Sequence, residues 1–381
     1  MAELSPFCAL RRTAKADGAF EDALSQGSCT AAQLRGWLAD GKLKQDTAPG
    51  LIIYEQEFSF LGQKRKIKGF FSLVKIEDGC VFPHESADPA EMPDDLTRLE
   101  ETGCQFSPVH CLFEDDERKT MSRIHLLSSG KPRFEFSENG VLHRLWAVND
   151  ILVIRAIQED FAGRRLYLID GDSRWAAAQE WKKRGGSDFA LLFLADTEQE
   201  IALQPSHCLV RGLKELDEPK FLADCEPYFQ VIPRGTTAEI AANLDALYRQ
   251  GKKAFAFYSG GASWTLLILK DSAVTEQLLP GRSEPFRGLN VSILHSLVLE
   301  RLLKTGIRAA GEEDTLSFTP SVETALSAVQ NGFAQCAFLL NPARKKEILE
   351  ICEAGEKMQP NSAHIYPPIP MGMVMASFNE R

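Results

Sequence analysis

Ile169-Asp170-Gly171-Asp172-Ser173-Arg174-Trp175 joins an apolar run, Leu166-Tyr167-Leu168-Ile169, directly to a helix-forming run, Trp175-Ala176-Ala177-Ala178-Gln179-Glu180-Trp181. A glycine at a strand-to-helix junction lets the backbone turn tightly. The free N–H groups of the first helical turn can then hold an anion with an arginine beside them. Gly171 and Arg174 are therefore candidates for a phosphate-binding turn, with Asp170, Asp172 and Ser173 as its other ligand-facing positions. The same letters also suit an ordinary helix start, because Asp-Gly opens common turns and Ser173 or Asp172 can act as an N-cap.

Working outward, the chain contains Tyr54-Glu55-Gln56-Glu57-Phe58, Phe82-Pro83-His84-Glu85, Phe106-Ser107-Pro108-Val109 and His143-Arg144-Leu145-Trp146 before the turn. After it come Leu209-Val210-Arg211-Gly212-Leu213, Ala337-Phe338-Leu339-Leu340-Asn341-Pro342 and Ala354-Gly355-Glu356-Lys357-Met358. Together these resemble successive blocks of a bacterial family known as domain of unknown function 1015. They run in order through nearly the whole chain. In that family the central turn usually reads Asp-Gly-His-His-Arg, which is similar to the phosphate-binding turn of the ParB, sulfiredoxin and free-serine-kinase group. The resemblance implies a ParB-like strand-turn-helix phosphate motif in the middle of an α+β chain, with mixed sheets and flanking helices.

Departures from the family pattern remove positive charge. Asp172 and Ser173 stand where the resemblance places two histidines, and Asp172 would repel phosphate. The Pro-Thr-His-Arg block appears as Pro205-Ser206-His207-Cys208, losing an arginine, and Met358-Gln359-Pro360-Asn361-Ser362-Ala363 lacks the family's lysine. Met92, Asp94-Asp95 and Gln105 fall near places where the family carries a lysine, an Asp-Arg pair and an asparagine. The opening strand Pro6-Phe7-Cys8-Ala9-Leu10-Arg11 is followed almost at once by a helix expected near residues 30–40, without the family's Ala-Pro-Pro-Tyr-Asp-Val segment. The resemblance thus implies a divergent, catalytically weakened member.

Composition narrows the remaining classes. With 381 residues, 44% hydrophobic and 25% charged, the chain can bury a core in two or three compact units. Two are expected, residues 1–225 carrying the Asp-Gly turn and residues 226–381, both α+β. A net charge of −10 argues against nucleic acid as a partner, which would require a basic surface. The one basic cluster, Lys64-Arg65-Lys66 with Lys68, reads as the solvent face of a hairpin. No apolar run approaches the roughly 18 residues needed to span a bilayer, and charged Arg11, Arg12, Lys15 and Asp17 stand where a signal peptide would be apolar. A cytoplasmic location follows as an expectation. Nine cysteines without a Cys-x-x-Cys pair predict reduced thiols, and Cys104 with His110-Cys111 reads as part of a buried strand rather than a zinc site.

Periodicity places the other elements. Leu51-Ile52-Ile53-Tyr54 begins a strand pairing with residues 68–75 across Gly62, residues 83–101 read as an exposed loop and short helix, and Ile151, Ile154 and Ile157 predict a helix over residues 149–160. Leu191-Leu192-Phe193-Leu194 is of buried-strand type. Further on, strands are expected at residues 226–233 and across 254–270 with a Gly260-Gly261 turn, and helices at 237–250, 292–304, 322–331 and 344–355. The proline-rich residues 360–370 are expected to wrap over a neighbour without forming an element.

Paired His84 and Glu85 suit general acid–base work. Arg174 can clamp an anion or pair with Asp170 or Asp172. His207 serves either as a ligand contact or as a structural residue, and His295 lies on an apolar helical face. Two functions remain open. One is a small-ligand-binding or regulatory protein that has lost phosphate chemistry. The other is a small-molecule phosphotransfer enzyme, like an amino-acid kinase or phosphatase, with Glu85 as base and Gly171 and Arg174 on phosphate. Only the enzyme reading brings ATP or ADP with magnesium as cofactors. Serine metabolism enters by analogy with the free-serine-kinase turn.

Overall fold

Strands Leu51–Phe60 and Gln63–Lys75 form a long antiparallel hairpin, in register from Ile52 opposite Phe71 to Phe60 opposite Gln63. Its two-residue turn places Leu61 at φ 49° and Gly62 at φ 76°. Positive φ at both positions matches the right-handed twist of the flanking strands, so the turn closes without splaying them. The computed structural model describes residues 2–13, 15–16, 18–25, 29–234, 237–261, 263–305 and 315–379.

The hairpin is the middle of the first unit's main sheet, which runs Val81–Pro83, Leu166–Asp170, Val109–Phe113, Phe189–Asp196, Gln63–Lys75, Leu51–Phe60, Val141–Val148 and Phe134–Glu138. Two neighbouring pairs are parallel, Val81–Pro83 with Leu166–Asp170 and Val109–Phe113 with Phe189–Asp196; the other pairings are antiparallel. Parallel neighbours need long crossovers, and helices Glu91–Thr102 and Asp172–Lys183 lie in two of them. Phe70, Phe113 and Phe161 meet edge to face in the core with Ile154 and Ile157 of helix Ile151–Phe161. The fold is α+β with mixed sheets. Strand Val109–Phe113 is wholly buried, as alternation predicts, and none of the nine cysteines forms a disulfide.

The chain divides at residue 202, and residues 365–381 return to the first unit. This differs from the expected boundary at 225/226 in two ways with one cause, long-range strand pairing. His207–Val210 pairs with Leu316–Thr319 and Cys336–Leu339 inside the second unit. Val374–Ser377 pairs with Leu10–Arg12 and Cys104–Gln105 inside the first. The proline-rich stretch also contains a short strand, His364–Tyr366, which its composition did not suggest. Tyr366 then packs its ring on Phe58 and Phe60.

The second unit, residues 203–364, carries a sheet ordered Phe229–Arg234, Trp264–Leu269, Ala254–Tyr258, Cys336–Leu339, His207–Val210 and Leu316–Thr319. Gly260 and Gly261, at φ 98° and 97°, join Ala254–Tyr258 to Trp264–Leu269 as an antiparallel pair. The helix expected over residues 292–304 begins as Asn290–Ile293 and widens to a π-helix over Leu294–Leu302, with His295 in the core.

Candidate functional site

Parallel pairing decides which residues meet. Val81 lies opposite Leu166, Phe82 opposite Tyr167 and Pro83 opposite Leu168, so both strands end at the same side of the sheet. The residues that follow are His84-Glu85 on one strand, while the other ends in Asp170 and turns at Gly171 into helix Asp172–Lys183.

His84 is 1% exposed and lies between two carboxylates, Glu85 Oε1 3.3 Å from Nε2 and Asp172 Oδ2 3.2 Å from Nδ1. The oxygens sit off the N–H axes, so these are ion-pair contacts without hydrogen-bond alignment. Burial opposes a charged imidazole, but the fields of Asp172 and then Glu85 outweigh it and hold the His84 pKa well above the ordinary value. The second oxygen of Asp172 accepts the Glu85 N–H at 3.2 Å, and Ser173 Oγ accepts the Asp88 N–H at 3.0 Å. The segment after Pro83 is thereby tied to the first turn of the helix; His84 and Glu85 are buried there, not exposed as that stretch was expected to be.

Gly171 is the N-cap, at φ 94°, and supplies no side-chain cap. A Cβ there would come within 2.7 Å of an Arg174 terminal nitrogen and 2.8 Å of Nε. The guanidinium therefore lies across the turn, where only glycine leaves room. Its Nε donates to the Pro108 carbonyl at 3.0 Å and a terminal nitrogen donates to Asp170 Oδ2 at 2.6 Å. Asp172 and Ser173, expected as N-caps, instead sit inside the helix and answer donors from residues 85 and 88.

His110 is a neighbour that sequence reasoning left in the core without a role. It is 2% exposed, stands opposite Asp170 across the strand pair, and has no partner at Nε2. Burial pushes its pKa down to about 4, with Asp170 opposing and Arg174 adding to the shift. Alternation identifies His110 as buried; only the pairing with Asp170, shifted after Leu168, brings it here. A cavity of about 20 Å³ beside Arg174, lined also by Asp95, Arg98, Gln105 and Ser107, has room for about one water.

The structure thus gathers His84, Glu85, Asp170, Gly171, Asp172, Ser173 and Arg174 at one end of a strand pair. His207 belongs to the second unit. It is 3% exposed, its Nδ1 accepts the Leu340 N–H at 3.2 Å, and burial pushes its pKa down to about 4. Among the described residues, no group of three or more histidine, cysteine and carboxylate side chains is placed to hold a metal.

Among solved structures, the chain is similar to a conserved hypothetical protein from Pyrococcus furiosus at 16% identity, covering 78% of this chain and 93% of that one, with a TM-score of 0.40. It is also similar to a free serine kinase in complex with AMP, at 15% identity over 80% of this chain and 91% of that one, TM-score 0.42. SbnI with C-terminal truncation from Staphylococcus aureus matches at 11% identity over 79% and 85%, TM-score 0.38. No curated protein matches this chain. The sequence profile described as "Protein of unknown function (DUF1015)" matches residues 10–292, and the chain belongs to that family.

Proposed function

We propose that this chain is a small-ligand-binding or regulatory member of its family in which phosphate chemistry has been weakened. The observation that carries this reading is the position of Asp172. Its carboxylate stands at the first helical position after the Gly171 turn, facing His84 and taking the Glu85 N–H. An anion approaching that helix end meets a negative group where the dipole alone would attract it. The cations nearby are already answered, His84 by two carboxylates and Arg174 by Asp170 and Pro108. In this reading His84, Glu85 and residues 170–174 form the ligand-facing set, with His207 as a separate contact in the second unit. We place the protein in the cytoplasm, supported by thiols without disulfides and by the absence, among the described residues, of a helix long and apolar enough to cross a membrane.

One observation favours the alternative, phosphotransfer with Glu85 as base: the buried His84–Glu85 contact can hold a proton. The residues present do not fit the ATP or ADP phosphates with magnesium that this chemistry requires, because carboxylates occupy each nearby cation. Thermal melting with millimolar ATP, ADP or phosphoserine, with and without magnesium, separates the readings. A ligand at a hundredfold excess over its Kd stabilises by about 2.7 kcal/mol. Little or no shift is expected, and a clear magnesium-dependent shift would overturn the proposal in favour of the enzyme.

A further inference from the structure

The second unit contains a cavity walled by segments far apart in sequence, with Ser206, Asn290, Asn341, Glu347 and Ser362 as its polar lining. Three of those five lie in stretches that the sequence itself singles out: Pro205-Ser206-His207-Cys208, the Asn341-Pro342 end of an apolar strand, and Met358-Gln359-Pro360-Asn361-Ser362-Ala363. Hydrogen bonds fix them in place. The Ser206 hydroxyl donates to the Asn361 carbonyl, Leu340 N–H donates to His207 Nδ1 at 3.2 Å, and Asn341 Nδ2 donates to the Leu244 carbonyl at 2.8 Å. The Ser362 hydroxyl donates to the Gln359 carbonyl at 2.6 Å. Such a lining is set before any ligand arrives.

Its chemistry is one-sided. Among the described residues, no lysine, arginine or histidine lines the cavity, and Glu347 is the one ionisable residue that does. Glu347 Oε2 accepts the Arg344 N–H at 2.9 Å and the Tyr248 hydroxyl at 3.2 Å, while Lys253 stands 3.4 Å from Oε1 and offsets part of its charge. Each serine hydroxyl has one proton, and both are committed to carbonyls. Asn290 Oδ1 is buried and no donor reaches it. The cavity's one charged group is therefore a carboxylate, and its unanswered buried atom is an acceptor. An anionic head group meets Glu347 there and no cation among the described lining residues. The enclosed space, about 20 Å³, admits a head of about one non-hydrogen atom.

We infer that this cavity is a binding site for a primary ammonium group, with Asn290 Oδ1 as its acceptor. An ammonium is compact, positively charged and carries at least three donors, which suits an unanswered acceptor in a cavity whose one charged group is a carboxylate. Free ammonium and the amine end of a larger molecule share this chemistry. The site is independent of the Gly171 turn and stands or falls separately from the function proposed above.

Melting of the full chain in ammonium chloride, methylammonium chloride and potassium chloride at equal ionic strength tests the inference. Potassium matches the charge but donates no hydrogen bond. Ammonium salts are expected to raise Tm beyond potassium in a saturable way, and Asn290→Leu to remove that difference. Asn290→Asp, which keeps the shape and adds charge to the acceptor, is expected to tighten apparent binding about tenfold. A response to ammonium alone identifies the free ion as the ligand; a response to both salts identifies an amine head group. Equal shifts in potassium and ammonium, or a difference that survives Asn290→Leu, would overturn the site. If Asn290→Leu does not fold, unchanged binding in Asn290→Asp overturns it instead.

Discussion

The segment after strand Val81–Pro83 and the start of strand His207–Val210 each bury a histidine almost completely, yet the two rings carry opposite charge tendencies. His84 meets Asp172 and Glu85, and their fields reverse the effect of burial. His207 meets a backbone N–H at Nδ1, which leaves the hydrogen on Nε2, and burial prevails over the distant Glu323. Burial alone therefore does not decide a histidine's state; the groups sharing its cavity do. The contrast extends to the surroundings. Around Gly171 the cations and carboxylates answer one another within the chain, whereas the second unit's cavity leaves an amide oxygen unanswered.

Removing His84 is the strongest way to break this comparison. His84→Ala leaves Glu85 and Asp172 as buried carboxylates with no cation between them, and is expected to lose about 3–5 kcal/mol of unfolding free energy in urea. Adding Asp172→Ala to it removes one of the two like charges and is expected to restore a large part of that loss. Additive losses would show that the three groups do not act as a unit.

The two histidines also have opposite pH signatures. A raised folded pKa means that the His84 contribution is fully present below about pH 6.5 and is lost as pH rises through the folded value. For His207 the folded value is depressed to about 4. Below about pH 6.5 the unfolded chain takes up this proton first, so the contribution is present above that pH and is lost as pH falls toward 4, by on the order of 3 kcal/mol. His207→Gln keeps an acceptor for Leu340 but does not titrate. Its stability is expected to fall less steeply than the parent's between pH 6.5 and 4, and coincident slopes would refute a neutral His207. His110, His143 and His295, also near 4, leave an acid limb in both proteins.

The smallest effect concerns the turn backbone. Gly171→Ala places a Cβ at φ 94° against the Arg174 guanidinium, and is expected to destabilise by more than about 1 kcal/mol. Gly185→Ala has a similar φ, 90°, with no atom within 4 Å of the added Cβ. It isolates the backbone part. If both variants melt alike, Arg174 yields without loss and the turn is looser than its contacts imply.

Local pattern made much of this fold legible and long-range pairing hid the rest. The spacing of Ile151, Ile154 and Ile157 predicts the observed helix Ile151–Phe161, with Ile154 and Ile157 buried. Leu51-Ile52-Ile53-Tyr54, residues 68–75 and Gly62 predict the observed hairpin, because neighbours in sequence pair across a short turn. The parallel contact of Val81–Pro83 with Leu166–Asp170 leaves no such trace, since neither strand's own residues specify a partner so far away. For the same reason the sequence offers Asp172 as a cap but cannot say that it turns to His84, whereas the pairing of Arg174 with Asp170, four residues away, is among the local options that the sequence itself presents.

Because Val374–Ser377 bridges Leu10–Arg12 and Cys104–Gln105, the first unit's small sheet is finished by residues translated after the entire second unit. At roughly 5–20 residues per second, synthesis of the intervening chain takes on the order of ten seconds. Through that time Leu10 and Cys104 of the first unit lack the strand that joins their neighbourhoods, and by the time it is made the second unit has every strand of its own sheet. The order of birth and the order of completion are therefore reversed: the unit begun first on the ribosome is the one closed last.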